Sequence, residues 1–336
     1  MRLREIREEW EVKNLSRFAC LSVNSQGRDY PEEECEVRTA FGRDRDRILH
    51  SKAFRRLKSK TQVFIAPAGD HYRTRLTHTL EVSQISRTVA RALGLNEDLT
   101  EAIALGHDLG HTPFGHAGET ALQLLVGSFN HNEQSLRVVE YLEERSPNYP
   151  GLNLTKEVRE GIIGHTGKVV PTTLEGQVVR ICDRVAYLSH DIEDAIRGGI
   201  LSPTDIPQKL REILGNSHSD RIGTMVKDLI THSFDKPVVS FSEPIKQVVD
   251  ELREFLFQKV YIGSEAKLEE NKVYNVVRMF FEYYLSHPGE LEERVGHPLE
   301  PHERKNAVVD YIAGMTDSFA MSEFQRLFLP QGWNRH

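Results

Sequence analysis

The chain has 336 residues, of which 28% are charged, with a formal net charge of −7 and a mean hydropathy of −0.46. These values describe an ordinary soluble globular protein with room for one or two domains and a large core. Met1 to Trp10 lacks the apolar core of a signal peptide, and no stretch approaches the roughly 18 apolar residues of a spanning helix. Three cysteines (Cys20, Cys35, Cys182) without metal spacing fit a reduced compartment, so a cytoplasmic protein with no membrane partner is expected.

Between Arg38 and Lys60 nine Lys or Arg residues stand against Asp44 and Asp46. An acidic chain that concentrates positive charge in one segment holds it for an anionic partner such as phosphate. A solvated helix face with internal ion pairs is the bland alternative. Beyond this segment the periodicity is helical. Residues 77–93 carry Leu80, Val82, Ile85, Val89 and Leu93 at helical spacing, and Gly94 stops them. Asn96 or Asp98 can cap the next helix, which passes Leu99, Ile103 and Leu105 and ends at Gly106. Residues 133–144 place Leu136, Val139 and Leu142 on one stripe, and Thr155 opens a helix with Val158, Ile162 and His165 in register. The longest predicted helix covers 174–196. Later ones are predicted over 245–260, 272–285 and 302–328, the last with Val308, Val309, Ile312 and Met315. Pro- and Gly-rich turns separate them at 146–151, 198–207 and 286–289. No alternating run is long enough for a sheet core. The expectation is one all-α domain over 1–336, a core at about 62–197 and a helical C-terminal extension at about 205–330 packed on it.

Four histidines and two acids crowd into the 25 residues from His107 to His131, several times the density of an even spread. The adjacent pair His107-Asp108 sets a borderline nitrogen ligand beside a hard oxygen, which suits a divalent metal that must also face phosphate. Neighbouring side chains on a regular helix diverge by about 100°. Converging them on one ion requires a helix end or a distortion, which Gly106 and Gly110 permit. A site of this kind with open positions points to metal-assisted hydrolysis. His78 taken alone reads as a cap or a packed residue. On the 174–196 helix, Asp183, Tyr187, His190, Asp191 and Asp194 share one face, opposite Ile181, Val185, Leu188 and Ile192. An amphipathic helix with its polar side in water gives that pattern, and so does a helix lining a cleft.

The order His78, His107-Asp108, Asp183 resembles the HD-domain metal hydrolases. Longer strings resemble their deoxynucleoside triphosphate triphosphohydrolase (dGTPase-like) branch: Arg38-Thr39 through Phe41, Arg43 to Arg47, Ser51 to Leu57, Lys60 to Phe64, Gly69 to His78, the His107 run, Phe129 to Gln134, Asp183 to Asp194, and Tyr311 to Asp317. They span about 38–320; 1–36, 200–265 and 285–301 carry no motif. The resemblance implies an HD-domain helical bundle holding one divalent ion (manganese, magnesium or iron) on His78, His107, Asp108 and Asp183. It implies cleavage of a dNTP at the α-phosphate, giving a deoxynucleoside and inorganic tripolyphosphate, with a role in dNTP pool control. His116 and Glu119 match catalytic positions, and His111 and His131 match residues near the phosphates. Either His111 or His116 can be the general acid, and second-metal ligation is the competing role for these histidines. Gln62, Tyr187 and Asp191 match residues around the sugar, where the Tyr187 ring would clash with a 2′-hydroxyl. Arg75 and Arg184 are candidate phosphate contacts. The family places the basic segment near subunit contacts and regulatory nucleotide sites, so Arg43, Arg47, Arg55, Arg56 and Lys60 are candidate effector or oligomer contacts in a homo-oligomer, a hexamer being favoured. Single-stranded nucleic acid is a second client for that charge, with thin stacking support from Phe41, Phe54 and Phe64. The rival readings are an HD phosphodiesterase acting on cyclic nucleotides or nucleic-acid ends, and a non-enzymatic nucleotide- or DNA-binding regulator.

Overall fold

A computed structural model describes residues 2–63, 72–261 and 269–330; Phe64, Gly69, Asp70 and His71 of the motif strings lie outside the described residues. Regular structure among the described residues is helical throughout, with isolated bridges only at Thr61–Thr74 and Ser146–Tyr149. The expected all-α class follows from the same cause that suggested it, the lack of alternating apolar runs.

Polar side-chain caps set several of the helix starts around the site. Helix α1 (Leu3–Asn14) precedes α2 (Ala40–Leu49) and α3 (Lys52–Arg56). Thr39 and Ser51 cap α2 and α3, and the Glu143 carboxylate accepts the Lys52 and Ala53 N–H groups at 3.0 and 2.6 Å. Helix α4 (Arg75–Ala92) opens on a reciprocal cap between Thr74 and Thr77, and Gly94 closes it at φ +66°. Asn96 caps α5 (Glu97–Gly106) by accepting from Leu99 N at 3.2 Å. Helices α6 (Gly115–Val126) and α7 (His131–Arg137) follow, and α7 runs into a π-helical turn at Val138–Leu142. The stretch predicted as one helix over 133–144 therefore starts earlier and changes winding. Next come α8 (Lys156–Gly164) and α9 (Leu174–Arg197), then α10 (Gln208–Leu214), α11 (His218–Ser233), α12 (Glu243–Leu256), α13 (Glu270–Ser286) and α14 (Pro288–Val295).

The helix predicted over 302–328 is two helices, α15 (Arg304–Ala313) and α16 (Asp317–Phe328). Thr316 takes an extended conformation and its side chain accepts from Phe319 N at 3.2 Å, so a new helix starts inside a continuous apolar stripe. This break frees Asp317 to hold the Phe114 N–H at 2.9 Å and the Thr61 N–H at 3.0 Å.

Two apolar clusters organise the chain. The larger contains Val82, Ile85 and Val89 of α4, Leu99 and Ile103 of α5, Val158 and Ile162 of α8, and Val178, Val185 and Leu188 of α9; α11 and α12 add Met225, Leu229 and Leu252. Cys182 is buried in it. The smaller one joins Ala121 and Leu122 of α6 to Val277 and Phe280 of α13, Val308 and Ile312 of α15 and Ala320 of α16. Chain beyond residue 205 is thus divided between the two clusters. The apolar half of α9 faces the first cluster, leaving Asp183 to Asp194 toward α4 and the end of α5.

Candidate active site

His107 terminates α5 as its C-cap residue, so the chain leaves the helix where His107 and Asp108 must turn toward one point. The His107 ring donates Nδ1–H to the Ala104 carbonyl at 2.7 Å, which leaves Nε2 as a bare acceptor; that atom is buried and has no hydrogen-bond partner. His78, in the first turn of α4, has Nε2 3.1 Å from Asp183 Oδ1 and 3.7 Å from Asp108 Oδ2. His107 Nε2 lies 3.4 Å from Asp108 Oδ1 and 3.8 Å from Asp183 Oδ1. His78, His107 and Asp108 thus offer ligand atoms all within 4.8 Å of one another, and Asp183 adjoins them through its contacts with His78 and His107. Burial opposes both carboxylate charges, but the surrounding His78, His107, His111 and Arg75 hold Asp108 and Asp183 well below the usual carboxylate range. Burial keeps His78 below its ordinary value. An orphaned imidazole lone pair among ionised carboxylates fits a divalent transition metal.

Gly106 and Gly110 serve packing rather than backbone distortion, since neither takes positive φ. A Cβ on Gly110 would stand 2.1 Å from Ser135 N, because the loop lies directly on the α7 backbone. There Ser135 Oγ accepts from Gly110 N at 2.8 Å and donates to the His107 carbonyl at 2.7 Å. Phe114, a non-glycine residue at φ 63°, carries the local strain that turns the loop into α6, and Asp317 holds it there.

Beside the quartet lies a second group. His111 is buried, its Nε2 is 3.3 Å from Asp108 Oδ1, and burial with Arg75 nearby pushes it well below its ordinary value. Glu119 on α6 meets the Nδ1 atoms of His116 at 3.2 Å and of His131 at 3.0 Å, and accepts from His131 N at 2.9 Å. His116 is exposed to 68% of its side chain, reaching the buried site only by way of His111 and His131. The rings form a continuous row, His190, His78, His107, His165, His131, His111 and His116, with successive centroids 4.0 to 5.5 Å apart.

On the other side, Tyr187 is half-buried on α9, and Asp191 accepts from the Tyr261 hydroxyl while its Oδ1 has no hydrogen-bond partner. Gln62 also presents a buried, unpartnered Oε1. His190 sits between Glu81, at 2.9 Å, and Asp191, at 3.3 Å. Burial opposes its charge, but the two carboxylates push it up to about 9.

The basic candidates from the sequence stand in different surroundings. Arg75 is buried and bound to Asp108 Oδ2 at 2.7 Å, although its Nε and Nη2 atoms have no partner. Arg184 lies 3.6 Å from Asp250 of α12, a partly exposed ion pair. Part of the basic segment is an internal tether. Arg43 meets Glu32 at 2.9 Å, buried Arg47 donates to the carbonyls of Leu152 and Asn153 at 3.0 and 2.7 Å, and buried Lys60 donates to the carbonyls of His111 and Ala313. Arg47 and Lys60 are thus buried, Arg43 is partly exposed, and Arg55 and Arg56 are exposed. The sequence reading put His190 on the polar face of the 174–196 helix and His165 in register on its own helix without assigning either to the site, and it did not single out Tyr261. The Gly164-His165 pair closing an apolar helical stretch, as Gly106-His107 does, was the available signal for His165; Tyr261 lies in a stretch without motif.

Among the described residues no helix is long and apolar enough to cross a membrane. The HD domain family matches residues 75–194, a range that contains the whole quartet, and the phosphohydrolase-associated domain matches residues 239–326. A deoxyguanosinetriphosphate triphosphohydrolase-like protein of Caldanaerobacter subterraneus subsp. tengcongensis is 58% identical over 99% of this chain and 98% of its own. Proteins of the same description from Clostridium perfringens and Desulfatibacillum aliphaticivorans are 49% and 47% identical, each over 98% of this chain and 99% of their own. Identity at this level over essentially the full length, on a helical fold that gathers the HD residues, makes the chain a member of the deoxyguanosinetriphosphate triphosphohydrolase-like family of HD-domain proteins.

Proposed function

We propose that the protein hydrolyses deoxynucleoside triphosphates at the α-phosphate, releasing a deoxynucleoside and inorganic tripolyphosphate, and so acts on the dNTP pool. The observation that carries the reading is the adjacency of two built groups, the quartet His78, His107, Asp108 and Asp183 and the relay of Glu119 with His116, His111 and His131. A divalent ion on the quartet would supply polarisation of the α-phosphoryl oxygen and a lowered pKa for the attacking water.

The chain's own groups account for the rest. As the water oxygen bonds to the α-phosphorus, the bond from phosphorus to O5′ breaks and O5′ needs a proton. His116, oriented through Nδ1 by Glu119 and open to the substrate side, delivers it from Nε2. His111, buried and neutral with Nδ1 unpartnered, and Arg75, with Nε and Nη2 unpartnered, hold phosphate oxygens. Tyr187 excludes a 2′-hydroxyl, and Gln62 Oε1 and Asp191 Oδ1 accept from the 3′-hydroxyl. A second dNTP as effector would enter the cavity of about 630 Å³ where Lys52, Arg56 and Lys60 face Glu143, Glu144, Glu303 and the Arg137–Asp310 pair. We further propose a cytoplasmic homo-oligomer, a hexamer being favoured.

The test is incubation with dGTP and Mn²⁺ followed by anion-exchange chromatography. Deoxyguanosine with tripolyphosphate supports the reading; stepwise release of phosphate or pyrophosphate sinks it. Asp183→Ala is expected to lose bound metal and turnover while its far-ultraviolet circular dichroism stays helical. Full turnover in that variant would remove Asp183 from the ligand set.

A further inference from the structure

We propose that the outer face of α1 is a contact between two copies of this chain, packed antiparallel across a two-fold axis. The inference rests on the homo-oligomer proposed above and names one of its surfaces. Every large apolar side chain of α1 faces out. Leu3, Ile6, Trp10 and Val12 are 59, 39, 43 and 58% exposed, and no residue of α1 belongs to either apolar cluster of the described residues. The helix is held to the body by its polar side instead. Arg4 N donates to the Glu36 carbonyl at 3.1 Å, and the Arg4 guanidinium meets Glu34 at 2.5 Å. Glu11, the buried residue of α1, accepts from Ser22 N and Oγ at 2.8 and 3.0 Å. A surface helix ordinarily packs the other way round, apolar stripe inward. A helix of 12 residues gains little stability on its own in water, so one docked inside out marks a surface that another molecule covers.

The pattern of that face selects its cover. Leu3, Ile6 and Trp10 recur at spacings of three and four, the seam of a paired helix, while Arg4, Glu8 and Glu11 lie on the opposite side. Arg2 and Glu9, seven residues apart, share one flank of the seam. A second α1 turned end for end about an axis near Ile6 sets Leu3 over Trp10 and Arg2 beside Glu9, each contact made twice by symmetry. Glu9 lies 3.5 Å from Lys13 in a solvent-exposed pair, which holds it only weakly. On the other flank Arg7 lies over its own Trp10 ring, 4.2 Å from the centroid. A surface that complements itself in this way is what a two-fold contact requires. A lipid surface fits less well. Glu5 and Glu9 are exposed beside Arg2, Arg7 and Lys13, whereas a helix lying on anionic lipid keeps its polar face basic, and the chain carries a net −7. Twelve residues span about 18 Å, so this contact is one part of a larger interface.

The test is the mass of the full chain by sedimentation equilibrium at micromolar concentration, native and substituted. Ile6→Glu and Trp10→Glu replace side chains outside both apolar clusters, so their circular dichroism is expected to stay native while the mass falls by half or more. Arg2→Glu and Glu9→Lys are each expected to shift association to higher concentration, and the double variant Arg2→Glu/Glu9→Lys to restore it. An oligomer whose mass none of these changes alters overturns the α1 contact and leaves the homo-oligomer standing. A native monomer overturns both. Loss in the double variant as deep as in the single ones overturns the antiparallel arrangement. Native mass in Trp10→Glu, together with binding of phosphatidylglycerol vesicles by the native chain and not by that variant, gives the face to lipid and overturns the proposal. Should Ile6→Glu and Trp10→Glu fail to fold, the charge exchange decides: restored association supports the pair, and association unaffected in all three charge variants overturns it.

Discussion

His116 and His131 share one carboxylate but occupy different environments, and that difference assigns their work. Glu119 is buried enough that desolvation opposes its charge, yet its bonds to His116 and His131 hold it far below the ordinary glutamate range. It is therefore the fixed charge that aims two imidazoles at once, and it touches no part of the quartet. Replacing it by Gln keeps the shape and removes the charge. Glu119→Gln is expected to lower kcat by about 100-fold or more, the usual contribution of an oriented acid, with KM changed far less and Mn²⁺ still bound. A variant with native kcat would exclude Glu119 from proton delivery. At this scale the sequence was legible where chemistry is dense: His78, His107, Asp108 and Asp183 do come together in space. It was illegible where a charged residue turns inward. Arg47 and Lys60 read as surface charge because residue type does not reveal direction, and only the fold shows backbone carbonyls waiting for them.

Among the helices, α5 and α9 are coupled at their starts by a carboxylate. Glu175 in the first turn of α9 accepts from Asn96 N at 2.9 Å and from Cys20 N at 3.0 Å, both on Oε1, while its buried Oε2 has no partner. Burial pushes its carboxyl up from the ordinary 4.5 to about 7. The folded state then holds more protons than the unfolded chain between those values, so stability falls as pH rises from about 4.5 to about 7 and is level above. Gln keeps the Oε1 acceptor and carries no charge. Glu175→Gln is expected to raise stability at pH 8 by on the order of 3 kcal/mol and to leave it nearly unchanged at pH 4.5. Urea denaturation at the two pH values measures this, and an equal shift at both would contradict the assigned cause. The cap at Asn96, the helix start after Thr155 and the stop at Gly94 were readable because they are local. The break between α15 and α16 was not, since Val308 to Phe328 keeps its apolar period through it and the deciding contacts, Asp317 to Phe114 and Thr61, span more than 200 residues.

Across the whole molecule, the two apolar clusters divide the site between them. The quartet stands on α4, α5 and α9 of the larger cluster, whereas His116 and Glu119 ride on α6, whose inner face belongs to the smaller. Their alignment depends on the clamp formed by Asp317 on Phe114 and Thr61 and by Lys60 on the carbonyls of His111 and Ala313. Asp317→Ala is expected to bind Mn²⁺ as the native chain does while losing about 10-fold or more in kcat, as small misplacement of positioned groups does. Equal loss of metal and turnover would show that the clamp supports the quartet instead.

The central claim is attack by water on the α-phosphorus, and hydrolysis of dGTP in H₂¹⁸O tests it most directly. The account predicts one ¹⁸O on a terminal phosphorus of tripolyphosphate, seen as an isotope-shifted ³¹P resonance, with unlabelled deoxyguanosine. Label in the deoxyguanosine 5′-hydroxyl, or in released orthophosphate or pyrophosphate, would contradict it.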